Sequence, residues 1–162
     1  MKSLVIYYSY SGNTRLIAEA IAGAADADIE ELKPEKPLNA GGAGYLMWGL
    51  RQLVSQSKPK LLPLKHRIED YDLIIIGTPV WSFTLTPPIR TFLEKYHINN
   101  KKVALFCCAG SDHGKTIKEM KKALAGNEII GSKVFYDPLK NDPDISRNNA
   151  AEWIRSIAEN KG

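Results

Sequence analysis

Apolar residues recur along this chain in two rhythms, and each change of rhythm marks a new element. Five runs read as strands: Ser3 to Tyr8, Asp28 to Leu32, Leu73 to Gly77, Lys102 to Cys107, and a looser run from Lys133 to Tyr136. Between them the spacing turns helical and predicts helices over Asn13 to Ala24, Ala43 to Ser55, Pro87 to Tyr96, Gly114 to Ala125 and Ser146 to Glu159. Strand and helix alternate throughout, which is the order of parallel βαβ units. "LIIIG" and "VALFCC" are continuously apolar, as strands covered on both faces are. Right-handed crossovers with helices on both faces then give an α/β fold, a three-layer, doubly wound, five-stranded parallel sheet. Such sheets take ligands beyond the carboxyl ends of the strands, where the strand order reverses. The loops after the first, third and fourth strands are therefore the candidate site.

The stretch "KPEKPLNAGGAGYLMWGLRQLVSQSKPKLLPLK" is too rich in Leu, Met and Trp for a disordered linker. It reads as the second crossover, with a packed helix over Tyr45 to Val54. At 162 residues, 44% hydrophobic and 25% charged, the chain is expected to form a single domain over residues 1–162. A chain of this size buries roughly 68–70% of its unfolded surface, so neither a metal nor a disulfide is needed to hold the core. The adjacent Cys107 and Cys108 sit at the end of a strand and point to opposite faces, which disfavours a bond between them. No 18-residue apolar stretch suggests membrane insertion, and Met1 leads straight into a strand without a secretion signal, so a cytoplasmic setting is expected. The net charge of +4 is carried by Lys and Arg dispersed among Glu and Asp, a pattern that does not favour nucleic acid as a partner.

The most informative stretch is "YYSYSGNTR", residues 7 to 15, where an apolar strand gives way to hydroxyl-bearing and amide residues and then to a helix. The turn gathers free backbone N–H groups at the positive end of the helix dipole, and Ser9, Ser11, Asn13 and Thr14 add neutral donors beside a flexible Gly12. A phosphate monoester is the natural guest. The plainer alternative is a capped turn, with Ser11 or Asn13 as N-cap and nothing bound. A phosphatase loop would need a Cys where Ser9 stands, and an Mg²⁺-dependent receiver domain would need acids that "YYSYS" lacks.

Ser9-Tyr10-Ser11-Gly12-Asn13-Thr14 resembles the phosphate loop of the flavodoxin family, and "GTPVWSFTLTPPIRTFL" and "CCAGSDHGK" fall where that family places its two further flavin loops. The resemblance covers the whole chain and implies a flavodoxin-like fold with bound FMN. It implies cofactor contacts from Ser9, Tyr10, Ser11, Gly12, Asn13 and Thr14, from Thr78, Pro79, Val80, Trp81 and Phe83, and from Ala109, Gly110, Ser111 and His113. Trp81 and Phe83 offer aromatic cover for a flavin; alternatively, Trp81 plugs the top of the core. The family often stacks a tyrosine on the ring from the third loop, whereas this chain has Asp112 and His113 there.

Electron transfer through FMN to redox partner proteins or a small-molecule acceptor, as a monomer or homodimer, is the function this resemblance implies. An NAD(P)H-dependent quinone or flavin oxidoreductase is the alternative, and a flavin-binding regulatory module is a third. Carrier flavodoxins are typically strongly acidic, and a net +4 chain departs from that pattern. "AGSDHGKT", residues 109 to 116, also fits a loose P-loop of nucleotide-binding proteins, though no apolar strand ending in an Asp accompanies it.

Overall fold

The computed structural model describes residues 1–36 and 57–159. The strands are β1 (Ser3–Tyr7), β2 (Asp28–Glu31), β3 (Leu73–Trp81), β4 (Thr84–Leu85), β5 (Lys102–Ala109) and β6 (Glu128–Tyr136). The described helices are α1 (Asn13–Ala25), α2 (Pro87–Lys95), α3 (Thr116–Ala123) and α4 (Pro143–Glu159). Five strands run parallel in the order β2-β1-β3-β5-β6, and the two-residue β4 pairs antiparallel with β3. The order reverses at β1, so the loops leaving β1 and β3 open side by side.

Alternation along the central strands builds two cores. Leu4, Ile6, Ile74, Ile76, Val103 and Leu105 face α2 and α3, meeting Ile89, Phe92, Met120 and Leu124. Val5, Ile75, Ala104 and Phe106 face α1 and α4, meeting Ile17, Ala18, Ile21, Ala150 and Ile154. Ile74, Ile75 and Ile76 are all fully buried, and each such side chain contributes about 1.5–3 kcal/mol. The continuous apolar run was legible for this reason: both faces of β3 are covered.

Several boundaries differ from the sequence reading. β3 does not stop at Gly77; Thr78 and Pro79 pair onward with Cys107 and Cys108, and β5 itself reaches Ala109. Pro79 is tolerated because the β1–β3 ladder has its last pair at Gly77, so β1 offers no carbonyl that a donor at Pro79 would have to meet. The chain then reverses at Ser82 and Phe83, with φ of 50° and 61°, and returns as β4. Positive φ at both turn positions is the twist-matched form of a two-residue hairpin. β6 starts five residues before the expected Lys133 and carries a bulge opposite Val103 and Ala104. α3 is shorter than expected, because Asp112 and a left-handed Gly114 (φ 54°) form a turn first. α4 begins at Pro143 rather than Ser146, with Asp142 Oδ1 accepting from the N–H groups of Asp144 and Ile145. The helix expected over Ala43 to Ser55 lies outside the described residues. Among the described residues, no helix is long and apolar enough to cross a membrane.

Candidate functional site

Gly12, at φ 98°, caps α1 with its carbonyl, which accepts from Leu16 N–H at 3.0 Å. The N-cap position is thus taken by a residue without a side chain, and neither Ser11 nor Asn13 fills it. Asn13 instead spans the site: its Nδ2 donates to Ser11 Oγ at 3.1 Å and its Oδ1 accepts from Leu139 N–H at 2.9 Å. Ser9 Oγ accepts from Arg15 N–H at 3.1 Å. The first N–H groups of α1 have no acceptor within the helix. Its first turn also holds no acid that would compete for them. The Arg15 guanidinium is turned away to Glu31 at 2.6 Å, which with the Tyr7 hydroxyl holds it above its ordinary pKa.

Thr14 is the anomaly of this loop. It is 1% exposed, and its hydroxyl has no hydrogen-bond partner among the described residues. Burial pushes the neighbouring Cys108 thiol above its ordinary pKa and the Thr14 hydroxyl works the other way, yet the two do not meet as a hydrogen bond. A buried hydroxyl without a partner costs free energy, and the remedy is an acceptor supplied from outside. This loop of neutral donors and unbonded N–H groups suits a phosphate.

The second wall is aromatic. Trp81 meets Tyr8 and Tyr10 edge-on, at centroid distances of 6.0 and 5.6 Å. It is only 6% exposed and belongs to the core with Leu85 and Ile89, so it both plugs the sheet top and forms a wall. The third loop offers the backbone of Ala109 and Gly110.

A fourth loop, after β6, was missed in the sequence. Asp137 N–H donates to the Ala109 carbonyl at 3.0 Å, and the Asp137 carboxylate lies 3.6 Å from where a Cβ on Gly110 would stand. No motif flags Asp137 and Pro138; only their place at the end of a strand beside β5 could have pointed to them.

These loops enclose a crevice of about 150 Å³. Of the expected residues, Tyr10, Ser11, Asn13, Pro79, Val80, Trp81, Ala109 and Gly110 line it, and Cys108, Asp137 and Pro138 complete it. Ser9, Gly12 and Thr14 build the loop beside it without lining it. Thr78 is fully buried beneath: its hydroxyl donates to the Pro79 carbonyl and bonds Thr86, and so is spent within the protein. Phe83, Ser111 and His113 stand outside the lining, Phe83 being 55% exposed.

The P-loop look-alike closes on itself. Phe83 O accepts from Lys115 N–H at 3.0 Å and occupies the hollow at Gly114, where a phosphate would have to sit. Lys115 Nζ pairs with Glu119 at 3.1 Å, and the buried Thr116 hydroxyl donates to the His113 carbonyl. Among the described residues no group of three or more His, Cys, Asp or Glu could hold a metal ion.

Burial also pushes the Cys107 thiol from 9.0 to about 12. Since the thiolate is the reactive form, iodoacetamide at pH 8 is expected to label neither cysteine in the native protein and both in urea, as mass spectrometry would show. Native labelling of Cys108 would mean that the crevice exposes its sulfur. The folded state holds the Cys107 proton more tightly than the unfolded one. The stabilisation it contributes is therefore present below pH 9 and is lost as pH rises toward 12.

A family model described as Flavodoxin matches residues 2–157. The chain is 26% identical over 167 aligned residues to a flavodoxin of Maridesulfovibrio salexigens, covering 98% of this chain and 97% of the relative. Its fold is similar to that of a flavoprotein in complex with FMN from Lactobacillus acidophilus NCFM, at 27% identity and a TM-score of 0.67, covering 86% of this chain and 96% of that one. It is also similar to oxidised flavodoxin 2 from Bacillus cereus, at 20% identity and a TM-score of 0.65, with 99% of both chains covered.

Proposed function

Because the chain belongs to the flavodoxin family, we propose that it binds FMN in this crevice and passes electrons through it to redox partners. The observation that carries the reading is the Thr14 hydroxyl, buried and without a partner among the described residues at the amino end of α1, where a phosphate would supply the missing acceptor. The similar Lactobacillus acidophilus flavoprotein, in complex with FMN, supports the same cofactor.

In this reading the Ser9 to Thr14 loop holds the phosphate with hydroxyls and N–H groups rather than with a cation. Tyr10 and Trp81 bound the ring with aromatic surface, and the Ala109 to Ser111 backbone offers N–H donors at its polar edge. Phe83 and His113, outside the crevice lining, have no contact with the ligand in this reading. Asp137 presents a carboxylate toward Gly110, a place for hydroxyl donors and a poor one for a second phosphate. That asymmetry orients the ligand with its charged end at α1. Bound FMN would supply the capacity to take up and release one electron or two. The chain's own part is orientation and charge. With a net +4, it repels added negative charge less than an acidic relative would, which makes its flavin easier to reduce.

The test begins with FMN fluorescence, which the chain is expected to quench on binding. The loaded protein is then mixed with NADH or NADPH, with and without a benzoquinone. The carrier reading expects no oxidation of the nicotinamide; rapid turnover with the quinone would favour an oxidoreductase, and unquenched FMN would overturn both.

A further inference from the structure

The positive charge of this chain is concentrated in one part of it. Residues 87–123 hold eight Lys and Arg against three Asp and Glu, while the whole chain holds 22 against 18, so the excess lies in this segment. Helices α2 and α3 carry much of it, and a groove of about 590 Å³ runs between them. Leu85, Leu93 and Ala123 give it apolar surface; Arg90, His97 and Lys122 give it cationic and imidazole groups. It also contains Glu94 and Glu119, but each is already engaged: Glu94 pairs with Lys58 at 3.0 Å, and Glu119 pairs with Lys115 and accepts the Thr84 hydroxyl. Arg90 Nε is buried and has no hydrogen-bond partner among the described residues. The groove is thus short of acceptors rather than donors.

We infer that the groove between α2 and α3 is a docking surface for an acidic segment of a protein partner, with carboxylates set among apolar side chains. The inference rests on the electron-transfer reading only for the partner being a redox protein. Charge complementarity selects the partner's sign and speeds its approach. The inner end of the groove joins the crevice wall: Thr84 pairs with Trp81 across the hairpin and donates to Glu119, and Phe83 stands exposed at the turn. A partner seated here lies beside the crevice. A nucleic-acid backbone is the poorer fit, since among the described lining residues His97 alone offers a ring for bases to stack on, while Leu85, Leu93 and Ala123 suit apolar side chains.

The experiment is an NMR titration of the full ¹⁵N-labelled chain, loaded with FMN, using a synthetic nonapeptide of alternating glutamate and leucine. Amide shifts are expected over Leu85, Arg90 to His97 and Glu119 to Ala123, weakening as salt is raised. The same peptide with lysine in place of glutamate is expected to leave those amides unmoved. Lys122→Glu, at an exposed position, and Arg90→Gln are each expected to weaken binding by about tenfold or more. Shifts scattered over the surface, an unchanged affinity in Lys122→Glu, or equally tight binding of a single-stranded oligonucleotide at these residues would overturn the proposal. The apo chain separates the two readings: a chain that fails to take up FMN yet maps the peptide to the groove supports docking and defeats the cofactor, and an FMN-bound chain with silent groove amides does the reverse.

Discussion

Replacing Thr14 with valine is expected to weaken FMN binding by about ten- to a hundred-fold and to leave riboflavin binding close to its original strength. A hydrogen bond to a charged acceptor contributes about 1.5–3 kcal/mol, and 1.4 kcal/mol is a factor of ten. Valine keeps the shape of threonine and removes only the hydroxyl, so the packing around the buried side chain is undisturbed. Riboflavin lacks the phosphate and should not register the change. The apo protein adds a second, opposite signature. Its Thr14 hydroxyl is buried without a partner among the described residues, so the valine form without FMN should be more stable, by about 1 kcal/mol. Fluorescence titration with both flavins and urea unfolding of both apo proteins measure these effects. An equal loss for FMN and riboflavin, or no loss for either, would separate Thr14 from the phosphate.

The centre of the sheet was legible because β1, β3 and β5 are buried on both faces and announce themselves as apolar runs; the first loop was legible because four hydroxyl or amide residues around one glycine have few structural uses. Errors clustered where local chemistry and tertiary context disagree. Thr78 and Pro79 look like the start of a turn, yet β5 runs on to Cys108 and holds them in the sheet. A threonine at a strand end beside a candidate site suggests a ligand contact, but the Thr78 hydroxyl ties the hairpin to Thr86 instead. Asp137 was invisible because it reaches the site through a backbone bond to Ala109, a contact that depends on β6 lying next to β5 and on no motif at all. "AGSDHGKT" misled in the other direction: the glycine that would open a phosphate nest is the one against which Phe83 packs.

Substituting Gly77 with alanine is expected to cost about 3 kcal/mol of stability and to lower the melting temperature by about 6–12 °C. Gly77 lies opposite Phe106 in the β3–β5 ladder. A Cβ there would stand 2.0 Å from Phe106 Cζ and 2.5 Å from both Cε atoms. The ring has little room to yield, since Phe106 is fully buried and meets Phe135 edge-on at 6.3 Å, with Phe135 in turn against Trp153 at 6.3 Å. The strand itself would have to move, and Pro79, Val80 and Trp81 of the crevice would move with it, so weaker FMN binding should accompany the loss. Phe106→Leu supplies the control. Alone it leaves a cavity and destabilises; combined with Gly77→Ala it makes room for the new methyl. The double variant should therefore be more stable than the sum of the two single losses allows, by about 1 kcal/mol or more in urea unfolding. Strict additivity would mean that the alanine is accommodated by some route other than the Phe106 ring, and that the crevice does not depend on this contact.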